Sequence, residues 1–163
     1  MSRNLDTLGV SRIFDIMSRK ADAGPGVSFE EKSVWIQLVG VSVALGGYFV
    51  VAGWMLARGI TVLPAFVPLF IVSIVLLVAI LAAGHIVAAL VGRPEDPDER
   101  DRFIEARAES RTGWILATGV IVAIQGLVVG VAAVWIAHLL LLSLFVTELV
   151  RFALQLMYYR RGT

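Results

Sequence analysis

Uncharged apolar runs alternate with short charge-dense segments along this chain. The first run, SVWIQLVGVSVALGGYFVVAGWMLA, lies between Lys32 and Arg58. At a rise of about 1.5 Å per residue it crosses a hydrocarbon layer of about 30 Å, so it predicts one membrane-spanning helix over 33–57. The next uncharged stretch runs from Gly59 to Gly92, with Pro64 and Pro68 near its beginning. Proline is tolerated in the first turn of a helix, where its missing N–H is no loss, and this places a second span at about 68–91.

The run from Thr112 to Thr147 would measure roughly 54 Å as one helix, too long for a single crossing. Together with the segment up to Tyr159 it predicts two spans folded back on each other, at about 112–134 and 138–159. Trp135 and His138 mark the turn, since amphipathic rings favour the membrane–water boundary. Trp35 and Trp54 bracket the first span about 28 Å apart, and Trp114 and Trp135 the third about 31 Å apart. The expected fold class is an all-α membrane protein, a four-transmembrane-helix bundle.

Charge then sets the orientation. Arg3, Arg12, Arg19, Lys20 and Lys32 precede the first span; Arg93, Arg100, Arg102, Arg107 and Arg111 lie between spans two and three; Arg160 and Arg161 follow the fourth. Arg58 is the one basic residue in the opposite loops. The positive-inside rule therefore predicts cytoplasmic termini and a cytoplasmic middle loop. The 163 residues are 58% hydrophobic and 17% charged, against about 25% charged in an ordinary soluble domain. A net charge of +1 argues against a nucleic-acid partner. The chain has no cysteine, which excludes disulfides, thiolate metal sites and cysteine nucleophiles. The first long apolar run begins only after Lys32, and no small-residue cleavage motif follows it, so no signal peptide is expected.

Two segments outside the spans carry pattern. In 1–28, LDTLGVSRIFDIMSRK gathers Thr7, Ser11, Arg12, Asp15, Ser18 and Arg19 on one helical arc, with ADAGPG as a break after it. An interfacial amphipathic helix and an unstructured tail both remain open for it. The loop GRPEDPDERDRFIEARAESRTG predicts a helix over 93–111, with Asp96 as cap, Pro97 at the first helical position and Glu99 completing a capping box. It should lead straight into span three, with Gly113 as the place for a bend. Asp96, Asp98, Glu99 and Asp101 fall on different helix faces and match no calcium loop, which favours a solvated, capped helix end over a cation site. Asp98, Glu99, Arg102 and Arg107 form a candidate contact surface for a cytoplasmic protein partner.

Within span three, Gly119, Ala123, Gly126, Gly130 and Ala133 follow heptad spacing and predict a helix-packing seam. In lipid, close backbone approach replaces the hydrophobic effect between helices. The seam faces either a helix of the same chain or a second copy in a homodimer.

Polar residues at depth are the candidate chemistry. Ser143, Thr147, Glu148, Arg151 and Gln155 share an arc of about 140° on span four, which lipid cannot satisfy. By helical rise, Arg151 and His85 lie roughly 9–11 Å inside the cytoplasmic boundary and Glu148 about 15 Å. This predicts a buried inner-leaflet cluster of His85, Glu148 and Arg151, flanked by Gln37, Thr118 and Gln155. An intramembrane ionisable group is a functional candidate by default, so a proton-responsive or ion-binding site is one reading. A salt bridge that sets helix register is the other, and the better supported. His85 and His138 lie about 20 Å apart in depth, too far to ligate one haem iron. No cofactor or metal is implied. No Ser-His-Asp pattern, HExxH, phosphate loop or paired-aspartate motif occurs, and an enzyme is not expected.

FEEKSVWIQLV, GHIVAALVGRPEDPDERDRFIEARAESRTGWIL and TELVRFALQLMYYRRG together resemble a family of small, uncharacterised bacterial four-span integral membrane proteins, with a DERD-type cytoplasmic helix and a YRRG-like C-terminus. The resemblance covers about 29–163. It implies a bacterial inner membrane, and it implies a sensing or regulatory role, since relatives are encoded beside small helix-turn-helix regulators. It carries over no catalytic residue. The function expected is that of a non-enzymatic sensing, regulatory or partner-binding protein. The alternative is a small proton-coupled transporter using Glu148. Small multidrug exporters also carry an essential buried Glu, but in the first span, which is uncharged here.

Overall fold

The computed structural model describes residues 29–91 and 98–161. The extension 1–28, with its expected interfacial helix, and the expected cap residues Asp96 and Pro97 lie outside the described residues. The described chain is all helix and turn: α1 (Phe29–Ala57), a 3-10 turn (Leu63–Phe66), α2 (Val67–Val91), α3 (Glu99–Val128) and α4 (Ala133–Arg161). All four α-helices are long and apolar enough to cross a membrane.

Each helix end has a local cause. Among the described residues, Gly59 and Gly130 are the glycines with positive φ, at 80° and 79°. After α1, Gly59 N–H bonds Leu56 O (2.9 Å) and Ile60 N–H bonds Met55 O (3.1 Å). After α3, Gly130 N–H bonds Leu127 O (3.2 Å) and Val131 N–H bonds Gly126 O (2.9 Å). This is the Schellman arrangement, in which a left-handed residue lets the chain turn back and satisfy the last carbonyls. The turn between α3 and α4 therefore falls at 129–132 rather than at 133–138. Trp135 lies in the first turn of α4, and Gly130 belongs to the connection, not to the packing seam.

α3 starts at a capping box. Asp98 Oδ1 accepts from the Asp101 N–H (2.7 Å), and the Asp98 N–H donates to Asp101 Oδ2 (3.2 Å). The cap is Asp98 rather than Asp96, and Asp101 occupies the position expected for Glu99. Both acids sit where the helix dipole favours negative charge. From Glu99 the helix runs unbroken through Gly113 to Val128, so the charged segment and span three are one rod of about 45 Å.

α1 packs on both α2 and α4, and α3 packs on α4. Near the middle of α1, Val41 and Leu45 meet Phe152 and Leu156 of α4. At its far end, Tyr48 and Ala52 meet Val134 of α4 and Phe66 of the 3-10 turn, which is 2% exposed. Small residues set how closely the helices approach. A Cβ on Gly119 would lie 1.9 Å from Ser143 Oγ of α4, and one on Gly84 would lie 2.4 Å from Ile36 Cγ2 of α1. Ala123 is buried on the same face of α3, and Gly126 faces Ile136 of α4. The Gly119–Gly126 part of the seam is thus occupied by α4 of the same chain. Ala133 is exposed at the start of α4 and takes no part in it.

α2 turns Ile71, Val72, Val75, Val78, Val87 and Leu90 outward, all at least half exposed. An apolar face this continuous is unstable in water and suits hydrocarbon.

Candidate functional site

The starts of α1 and α3 and the ends of α2 and α4 meet at one end of the bundle, the charged end. Glu148 and Arg151, one turn apart on α4, form an ion pair with side chains 28% and 24% exposed. Arg151 also lies over the Phe152 ring, 4.8 Å from its centroid, and its Nε is buried without a protein partner. Arg151 also lines a polar crevice of about 70 Å³ between α1, α3 and α4.

Three carboxyl groups line the crevice: Glu30 from α1, and Asp101 and Glu105 from α3. Gln37 of α1 and Gln155 and Tyr159 of α4 complete its polar wall. The Tyr159 hydroxyl donates to Asp101 Oδ1 (2.9 Å), tying α4 to the first turn of α3. Glu30 precedes the uncharged run of α1. The crevice has room for a few water molecules, not for an organic substrate.

His85 stands apart from this ion pair, in the α1–α2 interface. Its Nδ1 lies 2.8 Å from Leu81 O and its Nε2 lies 3.0 Å from Ser33 Oγ. A carbonyl can only accept, so Nδ1 carries a proton; in the neutral ring Nε2 then accepts from the Ser33 hydroxyl, and the Gln37 amide donates in turn to Ser33 Oγ (3.1 Å). The same logic repeats at the far end. His138 Nδ1 faces Val134 O (2.7 Å), so its Nε2 accepts from the Tyr48 hydroxyl of α1 (3.2 Å). Both histidines are hydrogen-bonded ties from α1 to a neighbouring helix, one near each end.

The expected cluster of His85, Glu148, Arg151, Gln37, Thr118 and Gln155 is therefore distributed. Gln37, Gln155 and Arg151 line the crevice, and Gln37 links it through Ser33 to His85. Thr118 is exposed on α3. Ser143 and Thr147 bond back to the carbonyls of Leu139 (2.8 Å) and Ser143 (2.7 Å) in their own helix.

Glu30, Ser33, Tyr48 and Tyr159 were not singled out by sequence. The signal for three of them was present: Glu30, Ser33, Gln37, Val41, Ala44 and Tyr48 form one stripe at helical spacing on α1. Extending that stripe outward from Gln37 reaches Ser33 and Glu30. Tyr159 becomes recognisable only once the end of α4 is known to lie against the start of α3.

Of the expected partner-contact residues, Asp98 is engaged in the cap, while Glu99 and Arg102 are exposed. Arg107 lies over two rings, 5.7 Å from Phe103 and 5.5 Å from Tyr158. Phe103 itself is 57% exposed, between charged neighbours. Among the described residues, no group of three or more His, Asp or Glu is placed to hold a metal ion. Comparison with family models, curated proteins and solved structures finds no match to this chain.

Proposed function

We propose that this protein is a non-enzymatic integral membrane protein of the bacterial inner membrane that binds a protein partner through the exposed face of α3. In this reading the charged end, with both termini and the α2–α3 connection, is cytoplasmic. The basic residues flanking that end support this orientation. One observation carries the partner-binding reading: the charged part of α3 is held rigidly and yet presents an exposed aromatic side chain. Ile104, Ala108 and Thr112 are buried along one face, with Tyr158 packed on the first two. The Tyr159–Asp101 bond holds the first turn. On the other side Phe103 projects beside Arg102, Ala106 and Arg107, all exposed. An aromatic anchor on a preformed element, ringed by charge, has the composition of an interaction hot spot.

The transporter reading is less well supported. Glu148 is already neutralised by Arg151, and beyond it the buried positions of α1 are apolar at Val41, Ala44 and Leu45.

A photo-crosslinking residue at position 103 of the full chain, activated in cells, tests the partner reading. A discrete adduct is expected, with a loss of about tenfold in Arg102→Glu, the size of an interface contact worth more than about 1 kcal/mol, while the thermal unfolding of the purified bundle stays unchanged. Arg107 is a poor choice for reversal because it also packs on Tyr158. Absence of any adduct from position 103, or equal adducts from exposed positions around the whole helix, would overturn the reading.

A further inference from the structure

Two apolar grooves meet at Trp35, which is 40% exposed on the side of α1 facing away from the crevice. One groove, of about 540 Å³, runs between α1 and α2, floored by Ile36 and Gly84. The other, of about 400 Å³, runs between α1 and α4 past Leu38 and Leu156. Lys32 stands at the mouth of the first, and Arg160 and Arg161 stand at the mouth of the second. All three are exposed, and the Arg160 guanidinium lies 5.9 Å from the centroid of the Trp35 ring, above the ridge that separates the grooves.

We infer that this surface is a site for one anionic diacyl phospholipid. A diacyl lipid has one phosphate and two chains diverging from it, and here three cations flank one aromatic ridge with an apolar groove on either side. The chains lie in the two grooves against Trp35, and the phosphate lies under Lys32, Arg160 and Arg161. A zwitterionic lipid meets the same grooves but carries its own cation toward a rim that is already positive, so charge makes the site selective. The shape depends on Gly84, where a side chain would collide with Ile36 and force α1 and α2 apart. The inference rests on the membrane reading of the helices but not on the contact proposed for α3.

The test uses the full chain with Trp54, Trp114 and Trp135 replaced by Phe, leaving Trp35 as reporter. It is reconstituted in bilayers doped with phosphatidylglycerol or phosphatidylcholine brominated on the chains. Brominated phosphatidylglycerol is expected to quench Trp35 at a lower mole fraction than phosphatidylcholine. Each of Lys32→Gln, Arg160→Gln and Arg161→Gln is expected to reduce that preference by up to about fivefold, the effect of one basic residue at an anionic surface. Equal quenching by the two lipids, or a preference that survives the triple substitution, overturns the site while leaving membrane insertion intact. No quenching by either lipid overturns both. Native mass spectrometry of the unsubstituted chain gives an independent reading: one retained phosphatidylglycerol supports the site, and no difference from phosphatidylcholine sinks it.

Discussion

At Gly119 the backbone of α3 lies so close to α4 that a single methyl group has nowhere to go. Its Cβ would lie 1.9 Å from Ser143 Oγ and 2.4 Å from Ser143 Cβ. Because the second clash involves the stem of the side chain, no rotamer change relieves it. Gly119→Ala is therefore expected to destabilise the bundle by about 1–3 kcal/mol, as overpacking of a tight core does. Ser143→Ala should not rescue it, since Cβ remains, whereas Ser143→Gly should recover most of the loss in thermal unfolding of the detergent-solubilised protein. Full stability of Gly119→Ala alone would show that α3 and α4 are not packed this closely. Gly119 was recognisable in sequence as a small residue on a heptad. Its partner was not, because spacing along one helix does not say which side chain faces it.

Among the elements, the α3–α4 connection shows how one residue type serves two purposes. Gly119, Ala123, Gly126 and Gly130 keep a continuous heptad register, so Gly130 reads as one more seam position. In the structure it ends the helix with φ 79°, and a Cβ there would meet nothing within 4 Å. Packing rewards small size at Gly119, while backbone geometry requires glycine at Gly130, and a sequence pattern cannot separate the two demands. Gly130→Ala is expected to cost about 1–2 kcal/mol through the left-handed backbone alone. Gly53 is the control, since it is exposed within α1, one turn before its end, with nothing near its Cβ. There alanine should stabilise slightly, by roughly 0.5–1 kcal/mol. Urea or thermal titrations of the two variants should move in opposite directions, and a neutral Gly130→Ala would contradict the observed helix end. The same elements show what local chemistry made legible. The long uncharged runs and the proline-rich start of α2 were readable to within a few residues, while the α3 cap moved from Asp96 to Asp98 because both aspartates satisfy the same rule.

Across the whole molecule, Arg151 is paired with Glu148 of its own α4 and lines the crevice that Glu30 of α1 and Asp101 and Glu105 of α3 also line. Its removal takes a cation from a crevice lined by three carboxyl groups, whereas removal of Glu148 leaves that cation beside them. Arg151→Met is therefore expected to destabilise more than Glu148→Gln, by about 1–3 kcal/mol. That is less than the 3–5 kcal/mol of a fully buried broken pair, because these side chains remain partly exposed. The double variant should recover only part of the loss. Complete recovery of folded yield in the double variant would reduce the system to an isolated pair. A folded Glu148→Gln that abolishes proton-linked uptake would instead favour the transporter. Sequence alone determined that four helices are long and apolar enough to cross a membrane, and which polar residues lie within them. It could do so because length and solvation cost are properties of each segment separately. Only the tertiary structure decided that His85 belongs with Ser33, that His138 belongs with Tyr48, and that Arg151 lines one crevice with carboxyl groups from α1 and α3. In hydrocarbon an apolar face gains little by choosing protein over lipid, so helix partners are selected by close-fitting small residues and matched polar atoms, and those matches exist only between helices.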